Sequence, residues 1–388
     1  MHLFKTTLLA ATILLYTSCS KKDSEVTKPT DKDNCAVTSA SVSGEIIPGQ
    51  YIVVYKSSTE TTEASVPRMT QIRRLLLEKN QIAPAAVKAV FAGKLPGFIA
   101  RLNAAEAKKL SQDPSIQLVE PDRVVALSTC FTIVAPTLIT WNVNKVGYGN
   151  GIGKTAWIVD TGIDLDHPDL NVDANRSKSF IEDVSPDDAN GHGTHVAGII
   201  GAKNNNFGTL GVASGATLVS LRVLDKDGKG TTSGIVQALA YINTYAKAGD
   251  VVNMSLGEDV VSTALDQQVQ YTAAKGILIS IAAGNEGKQA NLYSPGRANG
   301  DNIFTVSAVD SLDNFASFSN YGNDVVDYAA PGVRILSTYK DGMYAKMSGT
   351  SMAAPHVAGL LLLNGRNIHY STTAKNDPDG VADRIAFK

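Results

Sequence analysis

The sequence predicts an α/β protein in which a parallel-sheet domain follows a smaller α+β unit. From about Trp141 onward, short apolar runs of the kind buried on both faces alternate with helical stretches. That is the pattern of a parallel sheet with helices on both sides. From Gln50 to Leu127 the order of strand and helix signals is βαββαβ, a split-βαβ sandwich of ferredoxin-like type. The length of 388 residues allows two or three folding units at about 100–200 residues each.

Taken in order, residues 1–19 read as a signal. Lys5 precedes an apolar run, Leu8 to Tyr16, too short to anchor stably across a bilayer, and Ser18 and Cys19 follow. Residues 20–49 are polar, rich in Ser, Thr, Lys and Asp and without periodicity, which reads as a flexible tether. In the 50–127 unit, Tyr51–Tyr55 is a strand. Met69, Ile72, Leu75 and Leu76 recur at helical spacing across Arg68–Lys79. Val87–Phe91 and Gly97–Leu102 are strands around a Lys-Leu-Pro-Gly turn. Asn103-Ala-Ala-Glu106 is a capping box that opens a helix to Gln112, and Ile116–Glu120 is the last strand. This unit contains no plausible catalytic cluster.

The 128–388 domain has strand runs at Thr155–Val159, Thr217–Val223, Val251–Met254, Gly276–Ala282 and Ile303–Ala308, with helices such as Thr232–Ala248 and Thr263–Ala274 between them. Functional residues then belong at the carboxyl ends of strands. After Asn364 the chain reads as a turn-rich closing segment. A net charge of -2, with no basic stripe and interleaved aromatics, argues against a nucleic-acid partner. Cys35 and Cys130 are permitted to form a disulfide outside the cytoplasm, two free thiols being the alternative.

Three segments carry chemistry. Gly349-Thr-Ser-Met-Ala-Ala-Pro-His-Val-Ala-Gly359 opens an apolar helix. Ser351 or Thr350 would cap it, or Ser351 would be a nucleophile at its positive end, and Pro355 fits a first turn. Val159-Asp160-Thr-Gly162 ends the first strand of the domain. Asp-Thr-Gly also marks aspartic proteases, but these need a second carboxylate motif, and the chain has none. In Asn190-Gly-His-Gly-Thr-His-Val-Ala-Gly198 the two histidines are three apart, without the i,i+4 spacing and glutamate of zinc peptidases. Flanking glycines suit His192 to be an exposed, mobile base. The order is Asp160, His192, Ser351, whereas an α/β-hydrolase runs Ser, Asp, His around G-x-S-x-G.

Asp–His–Ser order on a parallel α/β unit resembles the subtilisin-like serine proteases, the subtilase family, over roughly Trp141 to Leu363. The resemblance implies a serine endopeptidase. Ser351 Oγ would attack the scissile carbonyl, His192 would take its proton and Asp160 would orient the imidazole. Asn285, ending Ile281-Ala-Ala-Gly-Asn285, matches the oxyanion-hole asparagine. Gly228-Lys-Gly230 and Ser255-Leu256-Gly257 look like the two segments that pair with substrate as added strands. Thr232 and Ile235 would border the pocket for the residue four before the cut. Ala282, Ala283 and Gly284 would line the primary pocket, whose small walls suit large apolar or aromatic side chains.

Ala290-Asn-Leu-Tyr-Ser-Pro295 resembles the proteinase K branch, although Val196 stands where that branch commonly has a cysteine. Lys203-Asn-Asn-Asn-Phe-Gly-Thr209 resembles the calcium loop of true subtilisins. By that likeness Asp169, the Asn205 side chain and the backbone carbonyls of Lys203, Phe207 and Thr209 would bind a structural Ca2+, which takes oxygen ligands. Asp327 would mark a second, weaker site. The 50–127 unit resembles the subtilase propeptide, an intramolecular inhibitor whose Val119–Leu127 tail lies in the cleft. The leader resembles bacterial lipoprotein signals with Cys19 lipidated, although Tyr16 stands where leucine is usual. The expected product is a monomeric, extracytoplasmic, self-processing zymogen, lipid-anchored or secreted, cut within Leu127–Thr140. A Cys35–Cys130 bridge would tie the lipidated propeptide to the mature enzyme if the cut precedes Cys130.

Overall fold

A continuous apolar run is expected where a strand is covered on both faces, and the first strand behaves so. The computed structural model describes residues 43–56, 66–127, 130–133 and 138–388, so Cys19 and Cys35 lie outside the described residues. In β1 (Ile46–Tyr55), Val53 and Tyr55 join one apolar cluster, Ile52 and Val54 another. Alternate strand residues face opposite ways. One face is therefore covered by the unit's own helices, α1 (Val66–Asn80) and α2 (Ala104–Ser111), and the other by helices of the following domain. With β2 (Val87–Phe91), β3 (Gly97–Arg101) and β4 (Ile116–Ala126) the antiparallel order is β4-β1-β3-β2. The predicted capping box is present: Glu106 N donates to Asn103 Oδ1 at 2.9 Å, and Asn103 N to Glu106 Oε2 at 2.8 Å. β4 runs six residues beyond the predicted Glu120, because its outer edge finds a second partner in the following domain.

That domain opens with β5 (Cys130–Ile133), α3 (Trp141–Val146), β6 (Gly149–Asn150), β7 (Thr155–Asp160) and β8 (Lys178–Ser179). Next come α4 (His192–Gly201), β9 (Ala213–Ser214), β10 (Thr217–Arg222), β11 (Lys229–Thr231), α5 (Thr232–Tyr245), β12 (Val251–Met254) and α6 (Thr263–Ala273). It closes with β13 (Leu278–Ala282), β14 (Ile303–Val309), β15 (Val326–Pro331), β16 (Ile335–Tyr339), β17 (Met343–Ser348), α7 (Thr350–Asn364), β18 (His369–Thr373) and β19 (Arg384–Phe387).

The main sheet has the order β18-β19-β15-β14-β13-β12-β7-β10-β8 and is parallel except for β18. Chain order reverses at β7, so the carboxyl ends of β7 and its neighbours form the crevice where such sheets hold their functional residues. One apolar cluster takes α4 and α7, the other α5 and α6.

Two expectations need correction. The segment after Asn364 is not merely turns: β19 joins β15 in parallel, and β18 pairs antiparallel with β19. β18 is exposed at every residue, so it carries no hydrophobic pattern to read. Pro355 lies in the second turn of α7, not the first, and Gly349 rather than Thr350 or Ser351 holds the N-cap position without a side-chain cap. A proline at that depth leaves the carbonyl four residues earlier without its N–H. That carbonyl is Ser351's, and it accepts from Ser255 Oγ at 2.7 Å.

Candidate active site

β7 ends on Asp160, whose Oδ1 accepts from Thr161 N and from His192 Nδ1, each at 2.7 Å. Both side chains of the Asp160–His192 pair are fully buried. His192 opens α4, and the start of that helix is tied to the end of β7 by Asp188. Asp188 Oδ1 accepts from Asn190 N, Gly191 N and Thr161 Oγ1 at 2.9 Å each, and its Oδ2 from Thr194 N at 2.9 Å. Thr161 Oγ1 in turn accepts from Gly193 N at 2.9 Å. The expected exposed, mobile histidine is therefore corrected to a buried, fixed one. The glycine after it serves close approach, since a Cβ there would lie 2.0 Å from Gly162 O.

An imidazole that donates from Nδ1 is left with Nε2 as its acceptor, and among the described residues His192 Nε2 has no hydrogen-bond partner. Ser351 Oγ donates instead to Ser255 O at 3.1 Å. Nucleophile–base hydrogen bonds often form only once substrate is bound. Asn285 Oδ1 accepts from Thr350 N at 2.8 Å and Thr350 Oγ1 at 3.0 Å, and Thr350 Oγ1 accepts from Gly284 N at 3.1 Å. Thr350, which the sequence offered only as a cap, thus ties the candidate oxyanion residue to the residue beside the candidate nucleophile. With its carbonyl end on the helix, the Asn285 amide has its NH2 as the donor end.

The cleft carries a strand of the chain itself. β4 pairs antiparallel with β11 as Val124↔Thr231, Val125↔Gly230 and Ala126↔Lys229, and Leu127 N donates to Gly228 O at 3.0 Å. On the far side, β5 pairs with β17, Cys130 opposite Ser348. Val125 is buried in one cluster with Ile235 and Leu256. Beside Ser351 a cavity of about 40 Å³ remains, bounded by Leu127, Leu256, Gly257, Ala282, Ala283 and Gly284. Glu258, Asp259, Glu286 and Tyr293, which sequence reasoning missed, also line it. Ser255 does not: its side chain turns inward to α7.

Thr232 Oγ1 donates to Glu258 Oε2 at 3.0 Å under the β4 strand. Burial pushes the Glu258 carboxyl up to about 8, opposed by that hydrogen bond and reinforced by Glu120. Glu120 and Asp122 of β4 reach into the second domain. Asp122 Oδ1 accepts from Ser233 N at 3.0 Å, and Glu120 Oε1 from Ser262 Oγ at 2.5 Å and Ala264 N at 3.3 Å.

Of the residues expected at a calcium loop, Asn205, Thr209 and Lys203 hydrogen-bond to Asp169. Asp169 is fully buried, and among the described residues its carboxylate accepts from neutral groups: Asn205 Nδ2 at 2.8 Å, Thr209 N at 2.9 Å and Tyr344 Oη at 3.3 Å. Burial pushes its carboxyl upward. A buried carboxylate with neutral partners is a donor that a hard cation suits. Lys203 N donates to Asp169 O at 2.8 Å. One detail departs from expectation: Asn205 turns its nitrogen to Asp169, and its oxygen accepts from Phe207 N at 3.2 Å. Asp327 stands apart, accepting from Thr305 N at 2.9 Å, and burial pushes it up to about 6. Among the described residues no three His, Cys, Asp or Glu side chains are grouped to hold a metal.

Fold and site together define the subtilisin-like class: a doubly covered parallel sheet, with Asp, His and Ser in that chain order and an inhibitor-like strand along the cleft. Comparison with known proteins agrees. The subtilase family model matches residues 153–372, more than half of the chain, and the peptidase inhibitor I9 model matches residues 50–128. The chain belongs to the subtilase family. Alkaline serine exoprotease A of Vibrio alginolyticus is 36% identical over 333 residues, covering 82% of this chain and 60% of that protein. Subtilisin E of Bacillus subtilis is 41% identical over 271 residues, 68% of this chain and 69% of that one. The crystal structure of a cold adapted subtilisin-like serine proteinase superposes with a TM-score of 0.57 at 34% identity, covering 65% of this chain and 98% of that one.

Proposed function

We propose that this chain is a serine endopeptidase made as a self-processing zymogen, with Asp160, His192 and Ser351 as triad and Asn285 in the oxyanion hole. The observation that carries the reading is the fully buried Asp160–His192 pair at 2.7 Å, whose Nε2 has no hydrogen-bond partner among the described residues. Ser351 Oγ attacks the carbonyl and passes its proton to His192 Nε2, while Asp160 stabilises the imidazolium. Asn285 Nδ2 and Ser351 N–H receive the developing oxyanion. The 50–127 unit is the inhibitor, and its β4–β11 pairing is the mode in which a substrate strand would add to the same edge. Walls of Leu256, Gly257, Ala282, Ala283 and Gly284 favour apolar residues before the cut.

Asp169, with the carbonyls of Lys203, Phe207 and Thr209 and the Asn205 amide turned to present its oxygen, would hold a Ca2+ that stabilises the loop and takes no part in the chemistry. Cys19 is the lipidation site of an extracytoplasmic precursor, and Cys35 and Cys130 are the candidate disulfide. The working enzyme is a monomer.

A serine-directed phosphonate probe with Ser351→Ala tests the core of this reading. The unaltered chain should be labelled at Ser351, and the variant should lose labelling and about 10⁶ in kcat, a magnitude measured on subtilisin itself. Full activity in Ser351→Ala would sink the assignment.

A further inference from the structure

A side-chain amide can receive an oxyanion only if the backbone beneath it is held still. Asn285 follows Gly284, which has φ +107°, on the loop leaving β13. Fully buried Asn320, 35 residues later in a Ser-Asn-Tyr-Gly turn, lies across that loop. Its Oδ1 accepts from Glu286 N at 3.1 Å and Lys288 N at 2.9 Å. Its Nδ2 donates to Ala283 O at 3.0 Å and Glu286 Oε2 at 2.6 Å. Its backbone N donates to Gly284 O at 3.0 Å. A primary amide has two donor hydrogens and two acceptor lone pairs, so this one is fully committed to the loop. The bonds fall on residues 283, 284, 286 and 288, flanking Asn285 on both sides. Space is closed as well, since a Cβ on Gly284 would lie 2.2 Å from Asn320 Nδ2.

We propose that Asn320 is a positioning residue that locks the Ala283–Lys288 loop so that the Asn285 amide faces the reacting carbonyl oxygen. This rests on the reading of Asn285 as the oxyanion donor. Because that donor acts on the transition state, its displacement lowers kcat rather than raising KM. Burial alone would make Asn320 important for stability, so the test has to read coupling to Asn285.

The experiment measures kcat and KM for the full chain, matured by a trace of unaltered enzyme where a variant processes itself slowly. Asn285→Ala should lose about 10²–10³ in kcat, the range measured on subtilisin itself. Asn320→Ala should lose about 10–10² in kcat, with KM within about twofold, because an ångström-scale misplacement has that effect. In an Asn285→Ala background it should cost less than about twofold more. An equal factor in both backgrounds, or a raised KM with kcat intact, would overturn the inference. If Asn285→Ala keeps full kcat, the oxyanion reading itself fails, a separate outcome. Should Asn320→Ala not fold, a swap decides. Asn320→Asp loses both donors and sets a carboxylate against Glu286, and adding Glu286→Gln returns an N–H across the same gap. Recovery of kcat in that double variant supports positioning, and no recovery overturns it.

Discussion

His356, in the middle of α7, is fully buried, with Nδ1 2.8 Å from Met352 O and Nε2 2.8 Å from Asn142 Nδ2. One ring nitrogen must donate and the other accept, so the ring has to be neutral. Burial accordingly pulls it down to about 4, and His195 to about 3. In the unfolded chain a histidine protonates near 6.5. Between those values the unfolded state binds more protons, so stability is fully present above about 6.5 and is lost as pH falls toward 4. Buried Asp383, pushed up to about 7, acts in the opposite sense, so the comparison must be with a variant. We expect His356→Gln to be less stable at neutral pH but to show a shallower loss of melting temperature from pH 6.5 to 4. An unchanged slope would remove His356 from acid unfolding.

At the scale of elements, two helices of the second domain begin under carboxylates of the first unit. α5 has its own cap, Thr231 accepting from Gly234 N, and α6 has Ser262 accepting from Leu265 N. Asp122 and Glu120 add anions at those same positive ends. Losing a capping carboxylate costs about 1 kcal/mol, or roughly fivefold in an equilibrium. Asp122→Ala and Glu120→Ala should therefore each speed the appearance of activity in the cut but still associated complex by about that factor. Rates equal to the unaltered chain would exclude the caps from inhibition. The Lys203–Thr209 loop belongs to the same scale. If it binds Ca2+, chelation lowers the melting temperature by mass action, and Asp169→Asn should remove most of that shift. A chelator shift of unchanged size in the variant would place the ion elsewhere.

In the whole molecule, the two units share a buried carboxyl. Glu258 is buried and lines the same cavity as Ala126 and Leu127, with Glu120 and Asp122 acting on it, and burial holds it up to about 8. Once the inhibitor-like unit departs, solvent reaches Glu258 and its value falls toward that of an ordinary carboxyl, so association takes up a proton. The sign follows: the complex is tightest at low pH and loosens as pH rises through about 8. Release should accelerate between pH 6 and 9, and Glu258→Gln should flatten that profile. A profile identical in the variant would assign the pH dependence to another group.

The sequence by itself determined the class of fold, the order Asp160, His192, Ser351, and the βαββαβ unit with its Asn103–Glu106 box. These are local signals: periodicity, capping spacing and short motifs depend on neighbouring residues. By family resemblance it also pointed to Val119–Leu127 as a tail in the cleft, but that only its last residues pair with the Lys229–Thr231 strand was left to the structure. Tertiary structure alone decided which way the polar groups turn. It set Ser351 Oγ on Ser255 O rather than on the histidine, satisfied the carbonyl freed by Pro355 through a hydroxyl 96 residues away, and used Asn320 to bracket Asn285. It also made Ile52 and Val54 part of the contact between units while Val53 and Tyr55 stayed in the first unit's core. Hydrogen-bond partners distant in sequence leave no periodicity, and an apolar strand residue reads the same whichever face it covers. Both were therefore settled only when the chain closed on itself.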